Sequence, residues 1–187
     1  MKLRILLLCL LLLATPCLAQ PPVADEELRQ RLVKAVEQAD SFRDRFDAEV
    51  WLMDMASRLK ARISNPDKRL RLLKAIHREA KRAKLAPELV LAVIDIESRF
   101  DRFAISRSGA QGLMQVMPFW LKEIGHPQDN LMDMDTNLRM GCTILKYYMD
   151  KEHGDLVRGL SRYNGSFGSR AYPDKVIKAL TTRWYRN

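Results

Sequence analysis

Apolar positions along this chain recur at helical spacing, and strand-like alternation is almost absent. Between residues 25 and 63, Leu28, Leu32, Val36 and Ala39, then Val50, Leu52, Met53, Met55 and Leu59, stand among many charges. That pattern predicts one or two amphipathic helices. Ser64-Asn65-Pro66-Asp67 interrupts it as a turn or short linker would. Beyond the break a denser pattern predicts helices near 68–84, 87–99, 113–124, 136–151, 155–163 and 173–183. The expected class is all-α, with about 120 residues after the break, enough for one independent core.

One predicted helix differs from the others. Pro87-Glu88 is a favourable start, with proline in the first turn and an acid at the positive end of the dipole. Leu89 through Ile94, with Ile96, are apolar around nearly the whole circumference, so this helix should be enclosed by others. Glu97 continues its apolar stripe, one turn after Val93 and Ile94. Desolvation and the negative end of its own helix should both raise its pKa, as a general acid requires. The alternative is a wet surface on which Glu97 pairs with Arg99 or Arg102, since unpaired buried charge is rare.

The N-terminus changes the address. MKLRILLLCLLLLATPCLAQ has two early cations, a short apolar run and a small-residue ending, and reads as a signal peptide over residues 1–19. Lipidation at Cys17 is the lesser alternative, because Thr15-Pro16 is a poor approach to a lipidated cysteine. Cleavage would leave Cys142 alone, so no intramolecular disulfide is expected and the fold rests on its core. The formal charge of +9 over the whole chain falls to about +7 without Lys2 and Arg4. A basic exported protein suits an anionic polymer or surface, although solubility alone would explain the charge.

Three further pieces carry chemistry weakly when taken singly. Ser108, Gly109 and Gly112 suit a tight loop before Leu113-Met114-Gln115-Val116-Met117-Pro118. There an amide can read sugar hydroxyls and N-acetyl groups, and thioethers can form an adaptable apolar floor. Equally, Gln115 suits a loop hydrogen bond and Met114 and Met117 suit core. Ser161-Arg162-Tyr163-Asn164-Gly165 ends a helix that Asp155 should cap, leaving a phenol and an amide at what is otherwise simply a turn.

Taken in order, these stretches resemble the catalytic domain of the soluble lytic transglycosylases, a branch of the lysozyme-like superfamily. The match runs through Glu97-Ser98, Ala104-Ile105-Ser106, Gly109 to Pro118, Asn137-Leu138 to Gly141, Tyr163-Asn164-Gly165, Tyr172 and Val176, within roughly residues 72 to 180. The resemblance implies a lysozyme-like helical domain with a cleft over residues 67–187, preceded by a helical extension over 20–66. It implies that Glu97 is the single catalytic acid and base, that Ser98 helps orient the sugar, and that Met114 and Gln115 line the cleft beside the cleaved bond. Tyr163 matches the tyrosine close to the glutamate, with Asn164 its companion. Two departures stand out: Arg162 replaces a small residue before that tyrosine, and Gly168-Ser169 replace an acid and a threonine before Tyr172.

The implied reaction cleaves the β-1,4 bond between N-acetylmuramic acid and N-acetylglucosamine without water and leaves 1,6-anhydromuramoyl ends. The implied location is the periplasm and the implied partner is the peptidoglycan glycan strand, with residues 20–66 a possible contact for an envelope protein. A lysozyme-type hydrolase, or a catalytically weak wall-binding component of a secretion or conjugation machine, is the alternative. Asp101 is the only candidate second carboxylate and reads better as a cap or turn residue. Asp95 should point toward another surface. His77, His126 and His153 lack metal-ligand spacing, so neither a metal nor another cofactor is expected. Cys142 reads as small core, without a histidine to activate it. An export signal, with no aromatic and basic groove pattern, argues against nucleic acid, and no stable membrane insertion is expected after signal cleavage.

Overall fold

Short polar caps decide where most of the helices begin. In a computed structural model, which describes residues 30–31, 40–42 and 44–185, the chain forms α1 (Arg45–Leu59), α2 (Pro66–Arg82), α3 (Pro87–Glu97), α4 (Trp120–Ile124), α5 (Met134–Lys151), α6 (Leu156–Tyr163) and α7 (Ala171–Ala179). A π-helical turn, Leu180–Trp184, extends α7. Asp44, Asn65, Asp133 and Asp155 each accept a hydrogen bond from the backbone N–H three residues on, at 2.8 to 2.9 Å. Each cap satisfies a donor that the first turn leaves open. The expected signal peptide and most of residues 20–43 lie outside the described residues.

The helix that is apolar all round is the innermost. Val90, Leu91, Ala92, Val93 and Ile94 of α3 have no exposed surface, and each of the larger side chains contributes roughly 1.5–3 kcal/mol by burial. α2, α7 and the π-helical turn pack around α3, while α5 packs on α2 and α6. α1 turns Trp51, Leu52, Met55 and Leu59 into the same hydrophobic cluster, and Trp51 Nε1 donates to Glu88 Oε1 at 2.8 Å, tying α1 to the start of α3.

Two expected helices change. The span predicted as 87–99 stops at Glu97, because Arg99 and Phe100 take φ values of 52° and 68°, which a right-handed helix cannot contain. Of the span predicted as 113–124, only Trp120–Ile124 is helical. Residues 104–118 instead form a folded loop with isolated bridges pairing Gln111 with both Ile105 and Val116. Asn137 of α5 replaces the missing helical bonds: its Oδ1 accepts from Met114 N at 2.8 Å, and its Nδ2 donates to Gln111 O at 2.8 Å and Leu131 O at 2.9 Å. Gly112 is needed at this crossing, with φ of +76° and space for a Cβ only 2.6 Å from Leu131 O. No helix among the described residues is long and apolar enough to cross a membrane.

Candidate active site

The final residue of α3 sits between the core and solvent. Glu97 is half-buried, and Tyr172 Oη donates a hydrogen bond to its Oε1 at 2.6 Å. Burial pushes the carboxyl up to about 7, while the hydrogen bond from Tyr172 opposes that rise by favouring the charged form. Glu97 therefore holds and releases a proton near neutral pH. Neither Arg99 nor Arg102 neutralises it: Arg102 donates to Met132 O at 3.2 Å and lies over the Phe103 ring.

The turn that follows is strained. Consecutive residues with φ above zero, Arg99 and the bulky Phe100, are costly outside glycine. Ser98 holds this turn against the folded loop, its hydroxyl lying 2.8 Å from Leu113 O and 3.2 Å from Ile94 O. Tyr163 Oη donates to the next carbonyl, Met114 O, at 2.6 Å. Ser98 and Tyr163, both read from the sequence as site residues, thus hold successive carbonyls of one loop. Burial raises the Tyr163 phenol well above its ordinary value, and the negative charge of Glu97 adds to the rise. The phenols of Tyr163 and Tyr172 both stay protonated donors beside Glu97.

The other expected residues divide differently. The side chain of Met114 has no exposed surface. It fills the space over Gly141, where an added Cβ would stand 2.6 Å from the Met114 Cβ, so the core reading of this side chain describes its place. Gln115 is part-buried with φ of 49°, and its Nε2 donates to Ala104 O at 3.1 Å and Gly112 O at 2.9 Å. Its amide locks the loop through the nitrogen. Asn164 caps α6 and is exposed. Arg162, at the position where the family has a small residue, turns its guanidinium to Glu152 and over the Phe167 ring, 3.8 Å from the centroid.

Tyr172, which meets Glu97 directly, had no separate signal in the sequence. A tyrosine in the first turn of a short helix reads equally well as core, and only the closing position of the family pattern pointed to it. Asp95 points away from Glu97, as its place on the helix led us to expect, but the surface it meets is packed: it is 3% exposed and is gripped by the C-terminal turn. Asp101 is exposed, and its Oδ1 accepts from Phe103 N at 2.9 Å, the geometry of a turn residue. Cys142 is buried beside Met114, with its thiol pushed up to about 12 by desolvation, which keeps it an unreactive thiol at neutral pH.

A half-buried acid near neutrality, two protonated phenols and a braced loop thus meet at the end of α3, an arrangement able to give and take one proton through one carboxylate. Residues 74–179 match the family model for the transglycosylase SLT domain, and the chain belongs to that family. It is 33% identical over 103 residues to the transglycosylase of Enterobacteria phage PRD1, covering 51% of this chain and 38% of that protein. It is also 33% identical over 120 residues to the membrane-bound lytic murein transglycosylase C of Yersinia pestis (strain Pestoides F), covering 55% of this chain and 34% of that protein. Among solved structures, an inactive mutant of the lytic transglycosylase Slt from Pseudomonas aeruginosa aligns over 86% of this chain and 34% of that one, at 22% identity and a TM-score of 0.47. The chain therefore spans little more than a third of the length of these relatives.

Proposed function

We propose that this protein is an exported, periplasmic lytic transglycosylase that cleaves the β-1,4 bond between N-acetylmuramic acid and N-acetylglucosamine in peptidoglycan. The observation that carries the reading is a single carboxyl, Glu97, with its proton balanced near pH 7 between desolvation and the Tyr172 hydrogen bond. Glu97 donates its proton to the bridging oxygen as the glycosidic bond breaks, and the N-acetyl carbonyl of the substrate stabilises the positive charge at C1. The resulting carboxylate takes the proton of the muramoyl C6 hydroxyl as that oxygen closes on C1. Glu97 ends the cycle protonated, and no water is consumed.

Ser98 and Tyr163 brace the loop that carries Gln115, Tyr172 orients the carboxyl, and exposed Asn164 meets the sugar chain. Asp101 is engaged in its own turn, which supports the lyase over a hydrolase with paired carboxylates. Residues 20–66 would carry the contact with an envelope protein. Phe46 and Met53, two turns apart on α1 and 74% and 45% exposed, support that role. Mass spectrometry of muropeptides released from purified sacculi tests the reaction. The expected products carry 1,6-anhydromuramoyl ends, one water lighter than hydrolysed ends and resistant to borohydride. A digest dominated by reducible muramic acid would make the enzyme a hydrolase.

A further inference from the structure

Residues two apart on a helix point about 200° apart, so Asp95 and Glu97 leave α3 on nearly opposite sides. One continuous C-terminal element reaches both. Its first helix, α7, supplies Tyr172 to the Glu97 carboxyl at 2.6 Å. Its last turn supplies Arg183 Nε and Trp184 Nε1 to Asp95 Oδ2 at 2.7 and 3.2 Å. The change from α7 to the π-helical turn makes the double grip possible: Tyr185 N donates to Leu180 O at 2.7 Å, a five-residue step that shifts the register of the side chains behind it.

The grip is reinforced on both sides. Arg62 Nη2 lies 2.8 Å from Asp95 Oδ1, an ion pair without hydrogen-bond alignment. Arg58 Nη1 donates to Arg183 O and Tyr185 O at 2.9 and 3.2 Å, fixing the backbone of the turn to α1. The Trp184 ring packs on Phe100, with centroids 5.4 Å apart. The same turn therefore holds the residues two before and three after Glu97, including one of the two strained positions. The mechanism proposed above gives none of these contacts a task.

We propose that Asp95 is a positioning residue for the chemistry at Glu97: by anchoring Arg183 and Trp184 it sets the register of the C-terminal element, and so holds Tyr172 Oη on the Glu97 carboxyl. This rests on Glu97 being the reacting acid, but the coupling itself is a property of the protein without substrate. The groups acting on Glu97 are Tyr172 from α7 and, less directly, Tyr163 from α6. Arg183 of the π-helical turn is directed to Asp95, and no titratable group of α2 acts on Glu97 among the described residues.

Two effects of Asp95→Asn oppose each other in sign. Removing a negative charge, and leaving Arg62 and Arg183 uncompensated, would by direct electrostatics lower the pKa of Glu97. Slackening the grip would take away the Tyr172 donor, which favours the charged form, and would raise it. Carbon-detected NMR titration of the full chain with labelled glutamate carboxyls, Glu97 being assigned by its loss in Glu97→Gln, reads the sign. Asp95→Asn should raise the Glu97 pKa by about one unit, the size of a charge-assisted hydrogen bond. Tyr172→Phe should do the same, and the double variant should go no further. Arg183→Lys, which keeps the charge but loses the planar donor, should move Glu97 the same way and serves where Asp95→Asn fails to fold. A Glu97 titration that stays put or falls in the folded variants, while rising in Tyr172→Phe, overturns the positioning role. If the coupling holds but the parent protein releases no anhydro ends, the proposed function falls and the grip stands.

Discussion

Among the described residues, two glutamates end helices, and their surroundings send them in opposite directions. Glu152 caps the C-terminus of α5 and is 7% exposed; Glu97 closes α3 and is half-buried. Glu152 receives the guanidinium groups of Arg158 and Arg162, whose hydrogen bonds hold its carboxyl below the usual range. Glu97 receives a phenol, which lowers its pKa less than burial raises it. Burial alone does not make an acid. What separates a structural carboxylate from a reactive carboxyl is whether the neighbour brings charge or only a proton to share.

The largest expected effect breaks this comparison directly. Glu97→Gln keeps the size and removes the transferable proton, so turbidity loss of purified walls should fall by about 10²–10⁴-fold or to background, with sacculus binding largely kept. Glu152→Gln, assayed alongside, should retain most of the activity. Comparable losses in both would remove the functional distinction between the two glutamates. The stability of the two variants should invert the order. Glu152→Gln leaves two guanidinium groups around an amide and should lower the melting temperature at neutral pH by several degrees.

A pH series sharpens the contrast because the two linkages have opposite sign. Glu97 is raised from 4.5 to about 7, so its contribution to stability is complete below its unfolded pKa and is lost as pH rises through about 7. Glu97→Gln should therefore melt higher than the parent at alkaline pH, with little difference in acid. Glu152 is depressed, so the stability it adds is present above the ordinary carboxylate range and is lost as pH falls through its lowered value. Activity should decline on the alkaline side with an apparent pKa near 7, as the acid for the first step loses its proton.

Much of this contrast was legible in the sequence, though unequally. The cap at Asp155, and the fully apolar run before Glu97, follow from local chemistry, and those two helices begin within a residue of expectation. The raised acid followed from its stripe. The folded loop did not, because its hydrogen bonds are supplied by Asn137, 23 residues beyond Met114, and no local pattern announces a side chain that substitutes for a helix. The grip on Asp95 was not legible for the same reason: Arg183 and Trp184 lie 88 and 89 residues away. Local spacing gives the direction a side chain leaves its helix, whereas the element waiting there belongs to tertiary structure.

The smallest expected effect distinguishes the two phenols beside Glu97. Tyr172 touches the carboxyl, whereas Tyr163 spends its hydroxyl on Met114 O. Tyr163→Phe removes that hydrogen bond and leaves a carbonyl of the braced loop without its donor, a loss of about 1 kcal/mol, or roughly fivefold. The loss should fall mainly on KM, because in the proposed reaction the loop presents Gln115 to substrate, and the proton on Glu97 is left in place. Tyr172→Phe should instead shift the alkaline limb of the activity profile upward, since its donor is one of the two influences that set the pKa of Glu97. If Tyr163→Phe moved the limb as far as Tyr172→Phe, the direct contact would have no special weight, and the pKa of Glu97 would be set by both phenols together with burial.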